Sequence, residues 1–241
     1  MSIFGKLLGG GLGWALGGPI GAIIGFALGA VLDDSGNVMK VTNTKHRTSK
    51  GDFSASLMIL IAAVLKVDGK IMKNELDYVK AFFVKHFGVE TAKEQLLFLR
   101  EILKQDIPLE GVCNQISANM EYASRLQLIH FLFGMSKADG EVVKAEVDMI
   151  GHIASLLGIS SGDFHSIKAM FYNDTDRDYK ILEIEKSATN EEVKQAYKKM
   201  AIKFHPDKVS YLGEAYQLDA KEKFQKVQQA FENIKKERGF K

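Results

Sequence analysis

Pro206 fixes the reading of the C-terminal quarter of this 241-residue chain. Residues 196–208 read AYKKMAIKFHPDK. At about 100° per residue, Val193, Ala196, Tyr197, Met200, Ala201 and Phe204 fall on one side of a helix, with Lys194, Lys198, Lys199 and Lys203 around the other. Proline has no amide hydrogen to give and pushes His205 toward extended backbone, so the helix must stop there. Thr189, with Glu192 three residues on, supplies a capping box for its start. Tyr179, Ile181, Leu182 and Ile184 precede it as a short apolar segment. Phe224, Val227, Phe231 and Ile234 follow at spacings of three and four, the stripe of a third helix. The two stripes can close on each other as an antiparallel hairpin with His205, Pro206 and Asp207 at its tip.

In this order, YKILEI, TNEEVKQAYKKMAIKFHPDK and EKFQKVQQAFENI resemble the J domain of DnaJ-type co-chaperones. The resemblance implies a three- to four-helix domain over 177–241 that docks on a DnaK-type chaperone ATPase and stimulates its ATP hydrolysis. Lys194, Tyr197, Lys198 and Lys199 match the family's partner-facing helix, and His205, Pro206 and Asp207 match its signature loop. Two places depart from the pattern. Glu183 stands where many J domains carry glycine. The loop from Val209 to Leu218 is longer and more apolar than usual, with Tyr211, Leu212, Tyr216 and Leu218. That second departure resembles the membrane-anchored, DjlA-like subgroup of the family and bears on which partner is preferred.

With 46% hydrophobic and 26% charged residues, the chain can hold one or two globular domains, and disorder throughout is excluded. A net charge of +2 is too small to imply nucleic-acid binding from bulk electrostatics, so an electrostatic partner must be read from local patches such as the lysine face. Cys113 is the single cysteine, which excludes an internal disulfide and a cysteine-rich zinc module.

Gly5, Gly9, Gly13, Gly17, Gly21, Gly25 and Gly29 recur every fourth residue, and no charge occurs between Leu7 and Leu32. Glycine costs a helix about 1 kcal/mol relative to alanine in water, so this is a poor helix in solvent. In lipid, backbone groups must pair internally and small residues let a second helix approach. The uncharged stretch is long enough for about 30 Å of hydrocarbon. The expectation is a membrane-embedded segment over 1–32, with Gly13, Gly17, Gly21 and Gly25 lining a helix–helix contact between two copies. Lys40, Lys45, Arg47 and Lys50 outnumber Lys6 across the segment, which puts the rest of the chain in the cytoplasm, anchored by a single pass at the inner membrane. The alternatives are a flexible glycine-rich tail, a hairpin broken at Gly17-Gly18-Pro19, a cleaved signal peptide, or a wholly cytoplasmic chain. Residues 33–52, rich in Ser, Thr, Asn and Lys, read as a polar linker.

Residues 53–173 read as helices throughout. Leu57 to Leu65 is apolar on all sides, as in a buried central helix, and Leu126 to Met135 is similar. KVDGKIMKNELD from Lys66 repeats as KADGEVVKAEVD from Lys137, so that Asp68, Glu75 and Asp77 recur as Asp139, Glu146 and Asp148. Two stacked helical halves are the simplest reading. The repeat resembles the TerB domain of tellurite-resistance-associated proteins, which is all-helical. Asp68, Glu75, Asp139 and Glu146 could converge on a divalent cation such as calcium or magnesium. The reading favoured is that each Asp-Gly ends a helix in a turn, with the later carboxylates near the N-terminus of the next.

His86, His130, His152 and His165 have no zinc-like spacing and read as core or rim residues. No phosphate loop or nucleophile constellation stands out, so the chain reads as a non-enzyme without a cofactor. The sequence thus describes an all-α protein: a glycine-rich membrane helix, a duplicated TerB-like domain and a J domain. Its expected partners are a DnaK-type ATPase and the membrane, with no nucleic acid. The alternative is a metal-responsive envelope-stress protein whose TerB-like half binds a cation.

Overall fold

The structure, a computed structural model, describes residues 17–31, 50–67, 69, 71–138, 140, 143–172 and 176–240. Among these it is all helical, with no strand. A first helix, α1, covers 17–31. Seven elements follow as α2 (Lys50–Leu65), α3 (Lys73–Leu103), α4 (Leu109–Asn119), α5 (Tyr122–Ser136), α6 (Lys144–Leu156), α7 (Ser161–Ala169) and α8 (Arg177–Ile181). The chain then forms α9 (Asn190–Lys203), a 3-10 helix (Pro206–Leu212) and α10 (Glu214–Arg238).

The middle of the chain is organised by α2 and α5, which are apolar all round and therefore buried all round. Leu57, Ile59, Leu60, Ile61, Ala62 and Val64 of α2 are completely enclosed, as are Leu128, Ile129, Leu132 and Phe133 of α5. The sequence repeat becomes a repeated turn. After α2, the amides of Lys66, Val67 and Gly69 donate to Ala62, Val64 and Lys66. After α5, those of Lys137, Ala138 and Gly140 donate to Phe133, Met135 and Lys137 in the same pattern. Gly69 and Gly140 take positive φ (71° and 89°), a conformation that a side chain disfavours. Each lysine that closes the first turn also reaches a distant carbonyl: Lys66 Nζ donates to Gln105 O (2.6 Å), and Lys137 Nζ to Phe171 O.

The helix α2 begins at Lys50, inside the stretch read as linker. The long α3 is two helices joined at Gly88, where the backbone leaves helical values. The glycine-rich segment differs from expectation in what it packs against. No helix among the described residues is long and apolar enough to cross a membrane. Instead α1 lies on the TerB-like half, with Ile23, Ala27 and Ala30 buried.

The C-terminal unit buries Tyr179, Ile181, Leu182, Val193, Met200, Phe204, Val209, Leu212, Val227, Ala230 and Ile234, which are continuous with the core of the middle domain. Residues 209–218 do not form a loop. Val209 and Leu212 turn inward on the 3-10 helix, and Gly213 (φ 102°) redirects the chain straight into α10. The unit is fastened to the middle domain, as α10 contacts α3 and α5 while the 3-10 helix contacts α2 and α5.

Candidate functional site

The site is assembled around the end of α9. Thr189 caps the start: its hydroxyl accepts from the Glu192 amide (3.3 Å) and the Glu192 carboxylate accepts from the Thr189 amide (2.7 Å). Val193, Ala196 and Met200 bury one face against α10, so Lys194, Lys198 and Lys199 are left exposed on the other. Tyr197 is half-buried, its ring stacked on Phe231 at 4.3 Å, so only part of it is presented outward. The helix ends at Lys203, His205 turns extended, and Pro206 opens the 3-10 helix. His205 Nδ1 accepts from the Asp207 amide (3.3 Å), and the His205 ring meets Phe224 edge-on at 5.6 Å. The Asp207 carboxylate is left 85% exposed at the tip.

Beside this tip runs a shallow open groove lined by Tyr197, Lys198, Ala201, Ile202, His205 and Lys208. Ile202, 57% exposed on an otherwise charged face, gives the groove an apolar floor. The surface therefore offers a carboxylate, lysines and a small apolar patch of Tyr197, Ala201 and Ile202, which is suited to holding another protein.

The lysines are not equivalent. Lys198 has no ion pair among the described residues, whereas Lys199 Nζ donates to Glu183 (3.0 Å) and Lys194 lies over the Phe240 ring at 5.7 Å. Lys203 leaves the cationic face altogether. It is 20% exposed and donates to Asp163 (2.7 Å) of α7 and to Glu183 (2.9 Å). Burial alone would lower its ammonium pKa, but the two carboxylates outweigh that and raise it. Burial likewise would raise the Asp163 carboxyl, yet hydrogen bonds from Lys203, Tyr122 and Ser160 hold it below the usual range. Glu183 has φ of 57°, the left-handed region where glycine would be unstrained. Its two lysine partners give a reason for a glutamate at this position.

Sequence reasoning missed the seam between the two domains. Tyr216 is 1% exposed, with its ring 4.4 Å from Phe53, 6.0 Å from Phe82 and 5.8 Å from Phe87, and its hydroxyl 2.6 Å from Ser54 Oγ. Tyr211 and Ser124 hydroxyls meet at 2.5 Å, and Ser166 Oγ donates to Ile181 O at 2.7 Å. A buried polar cluster lies at the centre. Gln127 Nε2 donates to Asp219, His130 Nδ1 lies 3.3 Å from the same carboxylate, and Lys223 Nζ donates to Gln127 Oε1 (2.8 Å). Burial pushes the Lys223 ammonium down to about 8, and that of Lys226, 3.8 Å over the Phe171 ring, also to about 8. Burial lowers the His130 pKa despite Asp219 beside it, so the ring is neutral and donates from Nδ1. The signal available in the sequence was the apolar character of residues 209–218, of which Tyr216 is the side chain that the middle domain encloses.

Of the four candidate cation ligands, Glu75 and Glu146 are among the described residues. Glu75 and Glu146 occupy the third position of α3 and α6. Glu75 accepts from the Met72 amide (3.0 Å) and Glu146 from Ser136 Oγ. Asp68 and Asp139 lie outside the described residues, and among the described ones no group of three or more His, Cys, Asp or Glu could hold a metal. Of the glycine ladder, Gly13 lies outside the described residues, while Gly17, Gly21 and Gly25 are half-exposed on α1.

Comparison with known proteins assigns all three parts. Residues 1–47 match the co-chaperone DjlA transmembrane domain, residues 54–169 the tellurite resistance protein TerB, and residues 177–239 the DnaJ domain. The co-chaperone protein DjlA of Vibrio vulnificus (strain CMCP6) is 29% identical over an alignment covering 79% of each chain, and that of Vibrio cholerae is 27% identical with the same coverage. The chaperone protein DnaJ of Fusobacterium nucleatum subsp. nucleatum is 43% identical over 22% of this chain and 14% of its own. No solved structure matches. The three matches follow one another in the order transmembrane domain, TerB, DnaJ, and in this succession the chain is similar to the DjlA-type co-chaperones of the DnaJ family.

Proposed function

We propose that this J-domain protein recruits a DnaK-type chaperone to the cytoplasmic face of the inner membrane and stimulates its ATP hydrolysis. The observation that carries this reading is the division of the C-terminal unit into two sides. One side, which carries Tyr216, Asp219, Lys223 and Lys226, packs on the middle domain. The other, with Lys194, Lys198, His205 and Asp207, stays exposed. Exposed lysines contribute mainly steering and orientation to such an encounter, which makes it weak, fast and salt-sensitive. Asp207 makes the specific contact, a charge-assisted hydrogen bond formed in the ATPase transition complex. Because the J domain is fastened to the middle domain, the chaperone arrives in a fixed orientation relative to whatever the TerB-like half binds. Self-association in the membrane through Gly13, Gly17, Gly21 and Gly25 belongs to the same reading, since small residues let two helices approach.

The test is Asp207→Asn, which keeps size and shape and removes the charge. Helical circular dichroism is expected to be unchanged, with stimulation of single-turnover ATP hydrolysis lost. A variant that stimulates as well as the wild type overturns the assignment.

A further inference from the structure

The helix α1 is seated in a groove of the TerB-like domain by more than apolar contact. The Gln115 side chain reads its backbone twice, accepting from the Ile20 amide (3.1 Å) and donating to the Gly17 carbonyl (2.7 Å). Gln105 Nε2 donates to the Ile23 carbonyl (3.3 Å). Gly18 takes φ of 60° against Gln115, where an added Cβ would meet Oε1 at 3.0 Å. The Pro19 ring packs on Gly111 so closely that a Cβ there would lie 3.2 Å from its Cγ. Ile23, Ala27 and Ala30 are buried and Ile20 and Ile24 pack beside them.

The fully buried positions Ile23, Ala27 and Ala30 mark one face of α1. At about 100° per residue, Gly21 and Gly25 lie about 160° away from Ile23. Gly21 and Gly25 therefore lie opposite the isoleucine- and alanine-lined face that the groove receives.

The seat cannot coexist with a membrane span. Any span of about 20 residues drawn from the uncharged stretch 7–32 must include Ile20 and Ile23. Within hydrocarbon those residues would have to bring along the Gln105 and Gln115 amides, with Asp106 beside Gln105 and Glu110 beside Gly111, at a cost of several kcal/mol for polar groups moved out of water. In water the helix gains from the groove, because a glycine-rich helix is weak by itself and its apolar face would otherwise be wet.

We propose that the groove formed around Gln105, Gly111 and Gln115 is a seat for the chain's own anchor helix outside the membrane, and that groove and bilayer are alternative, mutually exclusive positions of α1. The proposal rests on the reading of residues 1–32 as a membrane segment. It gives the TerB-like domain a role of its own: it shields the anchor before insertion and is uncovered when the anchor enters lipid.

A cysteine pair tests both positions in the full-length chain. A Cβ at Gly111 would lie 3.7 Å from the Pro19 Cβ, within the roughly 3.5–4.5 Å that a disulfide requires. Pro19→Cys with Gly111→Cys, oxidised with oxidised glutathione after cell-free synthesis without membranes, should form the crosslink. Cys113 is buried with its thiol pushed up to about 12 and does not compete. Vesicles of phosphatidylethanolamine and phosphatidylglycerol are then added, and flotation is compared with and without reduction. The oxidised chain is expected to stay in the dense fraction and the reduced chain to float. Gln115→Ala, which removes two of the backbone contacts, should shift the untethered chain toward vesicles by about threefold to tenfold. Failure of the disulfide to form removes the seat. Equal flotation of both forms removes the exclusivity while leaving membrane binding intact. A crosslink that forms in a chain that floats in neither state overturns the alternation through the membrane reading, with the seat intact.

Discussion

Replacing Tyr216 by alanine should separate the J domain from the TerB-like domain while leaving each folded. Tyr216 is enclosed by Phe53, Phe82 and Phe87 and belongs to the J domain's last helix, yet it fills a hole in the other domain. Burying an aromatic ring removes roughly 200 Å² from water, which at about 25 cal/mol/Å² is about 5 kcal/mol. Measured losses for truncating large buried aromatics are about 3–5 kcal/mol. At about 1.4 kcal/mol per tenfold, the docking equilibrium should fall by at least a hundredfold. Tyr216→Phe keeps the ring and loses only the hydroxyl contact to Ser54, a change of about 1 kcal/mol. Calorimetry of the wild type should give one transition, because the seam couples the domains. Tyr216→Ala should give two, with ATPase stimulation retained because the chaperone-facing side of α9 is untouched. A single transition displaced by less than about 1 kcal/mol would refute the reasoning.

Three further outcomes are expected. Lys198→Glu should raise the concentration needed for half-maximal ATPase stimulation on the order of fivefold at low salt. Lys199→Glu should do so less, since that lysine already answers Glu183; equal effects would contradict the distinction. Lys203→Met should destabilise the protein by about 3 kcal/mol at neutral pH, because it leaves the enclosed Asp163 carboxylate without its cation. The depressed Asp163 pKa gives stability present above the ordinary carboxylate range and lost as pH falls through the folded value, so the two melting curves should converge in acid. The seam should also weaken in mild acid. His130 has a pKa lowered by burial, so the undocked state binds its proton first, and docking loses stability as pH falls from about 6.5 toward the lowered value. Asp219 stays ionised there, held low by the His130 hydrogen bond and the Lys223 and Lys226 charges against burial, while Lys223 and Lys226, at about 8, stay protonated and Tyr78, raised by burial, stays neutral. Melting temperature followed against pH for wild type and His130→Gln checks this, and parallel curves would exclude it.

The sequence by itself determined every feature that depends on neighbours along the chain. The stop at Pro206, the Thr189–Glu192 capping box, the all-apolar helix around Leu60 and the repeated Asp-Gly turns each follow from residues within one or two turns of each other. Such features are legible because backbone preference and periodicity act locally. The exposed tip at His205, Pro206 and Asp207 was legible for the same reason.

Tertiary structure alone decided which charged and apolar groups on a helix face solvent and which face another domain. Lys203 and Lys198 are five residues apart on one basic helix, yet the first is fastened to Asp163 and the second is open. Tyr216 finds Ser54 across 162 residues of sequence, and Ile20 finds Gln115 across 95. Periodicity assigns a residue to a face of its helix, but it carries no information about what that face meets. That is fixed by the summed packing of distant elements, whose individual contacts leave no mark in the local pattern. For the same reason the glycine ladder announced a close approach of helices, whereas the structure seats the opposite face of α1 on the TerB-like domain.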